Sequence, residues 1–191
     1  MSLTNPLGDV PLTDPKAMRA LAHPVRLAIL SFLQRSGPAT ATVLAPHVQA
    51  TPSVVSWHLR HLAEFGLVTD ADPADVPGDR RQRWWVSVGQ GFRFEGSHDP
   101  AAEMLADQMY ATANTQVEAW MAEVRPTLPA EWLRHAGPSN TRVALTADEL
   151  AGLADAIDTL LAPYVHRETP PDGARPVRIL RHYLPLEEED R

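Results

Sequence analysis

Residues 51–68, TPSVVSWHLRHLAEFGLV, constrain this chain more than any other stretch. Val55, Leu59 and Leu62 recur at i, i+4 and i+7, the spacing of one buried helix face, and Ser53, Ser56, Trp57, Arg60 and Glu64 fall on the opposite side. Thr51 is suited to cap the first turn, Pro52 to the first helical position where a missing N–H costs nothing, and Gly66 to end the helix. A rigid rod results, with one apolar stripe to bury and one outward stripe of short polar side chains plus arginine. That outward set matches the chemistry of a DNA major groove, where hydroxyls bond phosphates or base edges and arginine grips guanine through two parallel bonds.

The neighbouring segments build on this rod. Asp14-Pro15 predicts a short helix to about residue 21, and Pro24 opens a second in which Val25, Ala28, Ile29, Phe32 and Leu33 form an apolar stripe before Ser36-Gly37 stops it. Thr40 or Thr42 can cap a third helix to about residue 48, so a brief turn at 49–51 completes helix, tight turn, helix. Past Gly66 the period changes from helical to alternating. Residues 67–69 and 81–88 predict two strands around a turn-rich loop at 70–79, a hairpin or wing, with Trp84 expected in the core and Trp85 partly exposed.

Asp99-Pro100 then opens a long helical pattern that Arg125-Pro126 ends, a rod on the order of 35 Å. Its apolar side, Leu105, Met109, Val117, Trp120, Met121 and Val124, is longer than a small core can cover, and the same helix of a second subunit is the simplest destination. Residues 129–136 predict a short helix, 142–145 a strand, Thr146-Ala-Asp-Glu149 a capping box opening an amphipathic helix, and 177–184 a further strand. The organisation read from the sequence is a flexible arm (1–13), a helical domain with a wing (14–90), a long helix (98–126), an α/β extension (127–186) and an acidic tail (187–191).

The formal charge of −7 is unevenly distributed. Residues 14–90 hold 8 Lys/Arg against 6 Asp/Glu, a net +2, whereas residues 91–191 hold 9 against 17, a net −8, and Asp9 supplies the remaining −1. Phosphate binding depends on where arginines sit, so the total weighs little against DNA. With no cysteine, disulfides, thiolate metal sites and cysteine nucleophiles are excluded. The chain shows no charged start leading into an apolar run and no stretch of about 20 apolar residues that could span a bilayer; a cytoplasmic location and no membrane partner are expected.

Three stretches in order, LAHPVRLAIL at 21–30, SVVSWHLRHL at 53–62 and FGLV at 65–68, resemble the ArsR-type winged-helix transcriptional regulators, and RRQRWW at 80–85 looks like a wing strand of that group. The resemblance covers residues 14 to about 88. It implies an α+β, mainly helical fold: a winged helix-turn-helix domain with a long dimerisation helix and, here, a small C-terminal α/β extension. It also implies a homodimeric repressor of double-stranded DNA, with residues 51–66 as recognition helix and Ser53, Ser56 and Trp57 facing DNA. The first helix, through Met18, and the long helix would form the dimer interface. Two departures stand out. The family's metal-sensing cysteines and its Asp-x-His pair on the dimer helix are missing, so no metal or other cofactor is expected. The wing loop carries Asp70, Asp72, Asp75 and Asp79, which phosphates repel, placing Arg80, Arg81 and Arg83 at the DNA and the acidic tip away from it.

The expected DNA set is therefore Thr51, Ser53, Ser56, Trp57, Arg60, Arg80, Arg81 and Arg83. Trp57 either touches a thymine methyl or the sugar backbone, or packs on the acidic half when DNA is absent. His58 and His61 lie one turn apart, a zinc-compatible spacing, but no third ligand is near and a structural role is expected. Among His98, Asp99 and Glu103, helix capping accounts for Asp99. The extension either enlarges the dimer or binds a small-molecule effector. A rival reading is a winged-helix module for protein contacts, its acidic half docking a basic partner. No phosphate loop, nucleophile elbow or metal-hydrolase helix supports an enzyme.

Overall fold

A computed structural model describes residues 5–74, 76 and 82–186. Helix α1 (Pro15–Leu21) starts where the Asp14 carboxylate accepts the Lys16 N–H at 2.9 Å, and α2 (Pro24–Ser36) where His23 Nδ1 accepts the Val25 N–H at 3.2 Å. Both place proline in the first turn, where no intrahelical donor is lost. Strand β2 (Ala39–Thr40) leads into α3 (Ala41–His47), capped by Thr40. Gln49, at φ 52°, turns the chain sharply into α4 (Pro52–Glu64), whose first turn Thr51 caps through the Val54 N–H.

Gly66, at φ 67°, adopts the left-handed conformation that releases the chain from α4 into β3 (Val68–Asp70). Strand β4 (Trp84–Ser87) lies between β2 and β3, antiparallel to both, with Thr69 opposite Val86 and Ala39 opposite Trp85. After three residues β5 (Gly91–Arg93) pairs in parallel with β1 (Asp9–Pro11). Helix α5 (Pro100–Ala119) packs on α1 and continues through a π turn (Trp120–Val124) and a 3-10 turn (Arg125–Thr127). Helices α6 (Ala130–Leu133) and α7 (Ala147–Val165) follow, α7 opening on the expected capping box between Thr146 and Glu149. The result is a winged helix-turn-helix body with a helical extension. Among the described residues no helix is long and apolar enough to cross a membrane.

One core serves this body. Leu21, Ile29, Leu30, Leu33, Leu44, Val55, Leu59, Leu62, Leu67 and Leu105 are all sealed within it. Each such side chain contributes roughly 1.5–3 kcal/mol through burial. Met18 and Leu105, both expected at a dimer interface, belong to this intrachain core instead: α1 and α5 pack on each other and consume them.

Several expectations are corrected. Residues 9–11, assigned to a flexible arm, form β1, and Leu12 beside them is buried; a three-residue strand paired across 82 positions leaves no local periodicity to read. Trp85, only 3% exposed, is the core tryptophan and Trp84 is half-buried, the reverse of expectation. That strand is apolar on both faces, so alternation alone did not set its phase. Residues 142–145 and 177–184 join no ladder and run as irregular chain, with Val143 and Ile179 exposed. The extension is thus helical among the described residues, because a strand pattern needs a neighbouring strand and this chain places none beside either segment.

Replacing Leu59 by alanine should destabilise the fold by about 2–5 kcal/mol, read as a lower urea midpoint at unchanged slope. A loss below about 0.5 kcal/mol would contradict the packing described.

Candidate nucleic-acid interface

Helix α4 displays what its packing leaves over. With Val55, Leu59 and Leu62 turned inward, Ser53, Val54, Trp57, Arg60 and Glu64 face solvent and Ser56 lies at the edge. Beside it, β4 and the residues leading into it close a cleft of about 210 Å3 lined by Thr40, Ala41, Thr42, Ser56, Arg60, Gln82, Arg83 and Trp85. The cleft unites hydroxyls at the start of α3 with Ser56 and two guanidinium groups from separate elements, all donors suited to phosphates and base edges.

Of the residues expected at DNA, Ser56, Arg60 and Arg83 are thus brought together, while Ser53 and Trp57 lie on the same exposed face of α4. Thr51 contributes its hydroxyl to the helix cap. Arg80 and Arg81 fall outside the described residues, as do Asp75 and Asp79.

Arg83 is engaged in an arrangement that sequence reasoning missed. Its Nε donates to Asp70 Oδ1 at 2.6 Å and its Nη2 to Asp70 Oδ2 at 3.1 Å, a two-pronged pair across the β3–β4 hairpin. The guanidinium carbon also sits 4.0 Å from the Trp85 ring centroid. The hydrogen bond to Arg83 holds the Asp70 carboxyl below its ordinary range and raises Arg83 in turn. Because both side chains are more than half exposed, the pair contributes little to stability; it fixes where the guanidinium points. Among the described residues no carboxylate pairs with Arg60.

Trp57 is 53% exposed, and its ring meets histidines of its own helix. It stacks on His61 at 5.6 Å between centroids, with an interplanar angle of 7°, and meets His58 edge-on at 4.9 Å. His61 in turn pairs with Glu64 at 3.1 Å. These contacts give both histidines a place in the packing of α4.

His58 itself points inward, buried, 4.9 Å from the His23 ring that caps α2, with its Nδ1 lacking a hydrogen-bond partner among the described residues. Burial lowers its pKa, and the charges of His23, Arg26 and His61 push the same way. His23 is lowered by burial and then by Arg26. A histidine pair spread over 35 positions carries no sequence signal beyond the residues themselves.

Residues 21–71, just over a quarter of the chain, match a family model described as a helix-turn-helix domain. No curated protein matches the chain. Fold, cleft and match together define the class: this chain carries a helix-turn-helix domain of the kind used in DNA-binding regulation, the match ending at Ala71, one residue past β3.

The histidine pair makes stability depend on pH. Both folded-state values lie below the unfolded value of about 6.5, so the unfolded chain binds more protons between the two; stability is full above that value and declines as pH falls through the depressed ones. Thermal melting should therefore fall between about pH 7.5 and about pH 5.5, and His58→Leu should flatten part of that slope. Parallel profiles for both proteins would refute the assignment.

Proposed function

We propose that the chain is a homodimeric, ArsR-like winged-helix repressor that acts in the cytoplasm on a pseudo-palindromic operator in double-stranded DNA. The observation that carries this reading is the convergence of Ser56, Arg60 and Arg83 on one open cleft between a recognition-type helix and a wing strand. α4 enters the major groove with Ser53, Ser56, Trp57 and Arg60 toward bases and backbone, while Arg83 and the wing reach the flanking phosphates. Thr42 adds a hydroxyl on the backbone side.

Arg83 is held by a carboxylate that a phosphate can replace. In an exposed pair the aspartate is a weak competitor, so exchange onto DNA costs little while the stacked Trp85 keeps the guanidinium aimed.

Dimerisation through the long helix, residues 98–126, is supported by what a single chain leaves uncovered. Met109, Val117, Met121 and Val124 are exposed along one continuous helical stretch, with Trp120 half-buried among them. A second copy is the simplest cover for such a face, and twofold symmetry would set two copies of α4 about 34 Å apart, one turn of duplex. The extension at 127–186 would enlarge that dimer or hold a small effector.

Fluorescence anisotropy with the chain's own upstream DNA should show binding that weakens steeply with salt. Arg60→Ala should cost about 1–3 kcal/mol and relax preference at one base position, whereas Arg83→Ala should weaken all sequences alike and reduce the salt slope by about one. If neither variant changes affinity, the cleft is not the DNA site. Size-exclusion chromatography with light scattering should give twice the mass of one chain, and Met121→Glu should shift it toward the single chain; a wild-type protein of single-chain mass at micromolar concentration would overturn the dimer.

A further inference from the structure

Helix α7 is attached to the winged body in an unusual way. Leu153, Leu160, Tyr164 and Val165 on it are exposed, Leu160 to 69%, and its one fully buried residue is a charged one, Asp158, at 4%. Two arginines from different parts of the chain converge there. Arg93 of β5 donates through Nη2 to Asp158 Oδ2, and Arg181, beyond α7, donates to Oδ1 at 2.6 Å. Arg93 also lies 3.8 Å from Asp155 and 4.0 Å from Asp9 of β1. At the far end of the helix, the His166 ring meets the Pro6 carbonyl with Nε2 at 2.6 Å.

Apolar and ionic attachments differ in what separation costs. Parting an apolar contact exposes its whole area to water, whereas the charges of a parted ion pair are rehydrated, which recovers much of the Coulomb attraction lost. A helix mounted through a buried carboxylate and two guanidinium groups is therefore held in one definite position and yet is able to leave it. The partner strand has a direct route to the DNA cleft. Only Val88, Gly89 and Gln90 separate β5 from β4, and that junction is tight: a Cβ at Gly89 would stand 2.7 Å from Val10 Cγ2 and 2.9 Å from the Gly8 carbonyl oxygen. β4 in turn carries Trp85, on which Arg83 is stacked.

We propose that Asp158 is a clasp through which the C-terminal extension sets the position of the wing. With α7 docked, Arg93 holds β5 against β1 and the β4–β5 junction is stiff, so the buried Trp85 keeps Arg83 in a fixed position toward DNA. With α7 released, Arg93 loses its buried partner, the β1–β5 pair loosens and the wing strand is freed. Any ligand or subunit contact that moves α7 would be transmitted along this path. The role in DNA binding rests on the function proposed above; the mechanical link does not.

Hydrogen exchange on the full-length protein without DNA tests the link. Asp158→Asn keeps the shape and removes the charge, and Arg93→Gln, which leaves Arg181 and Asp158 paired, is a second variant that breaks the same link should the first fail to fold. Amides of β1, β4 and β5 should exchange roughly tenfold faster or more, while those of α2 around Leu30 and α4 around Leu59 keep their protection. Uniform acceleration through the whole core, or none at β5, would overturn the clasp, since a merely structural ion pair predicts the first and an irrelevant one the second. Anisotropy is then run on the same variants. Local loosening with several-fold weaker DNA binding supports the full proposal, and local loosening with unchanged affinity overturns the wing's dependence on it. If the wild-type chain binds no DNA, the function reading fails while the exchange data still decide the link.

Discussion

The burial of Val55, Leu59 and Leu62 governs most of what this molecule presents to its surroundings. Those three side chains are fully enclosed on a helix that packs against α1, α2, α3 and β3, and a helix with one stripe locked inward has no rotational freedom left. Ser53, Ser56, Trp57 and Arg60 are displayed because their neighbours at the complementary positions are not. The apolar core therefore acts as the orienting device for the polar face, and preorganisation of the latter needs no bound partner.

Polar groups near that core are settled with different degrees of completeness. The Asp70–Arg83 pair is satisfied on both prongs and lies at the surface, where it directs a guanidinium without much effect on stability. His58 is the opposite case, a buried ring with one nitrogen unpartnered beside a second histidine and an arginine. Burial disfavours the charged form of both rings, so the packing of α4 responds to protonation. The exposed carboxylate–guanidinium pair and the inward histidine thus respond to different variables, one to competing anions and one to pH.

The second half of the chain follows other rules. Past α5's packed beginning it buries little, and polar contacts tie it to the body: Arg93 of β5 on Asp158, which Arg181 also grips from within the extension, and His166 on the Pro6 carbonyl. The net charge of that half conceals these pairs, because counting carboxylates along a sequence does not say which of them are matched. Its exposed apolar faces and its charged attachment are the features on which the proposed dimer and the proposed clasp rest.

Local chemistry was legible in the residues themselves. Proline and capping side chains marked the starts of α1, α2, α3, α4, α5 and α7, Gly66 marked the end of α4, and spacing of three and four identified the stripe that α4 buries; each depends on contacts within a few positions along the chain. The three long-range decisions were not legible. Which tryptophan of the pair turns inward, whether residues 9–11 find a strand at 91–93, and which carboxylate receives Arg93 all depend on groups brought together from distant positions. The sequence by itself determined the helices and the reading face, because helix geometry is a local periodicity. Only the tertiary structure decided strand phase, sheet partners and ion pairs, since those are set by packing among elements whose separation in the chain carries no pattern of its own.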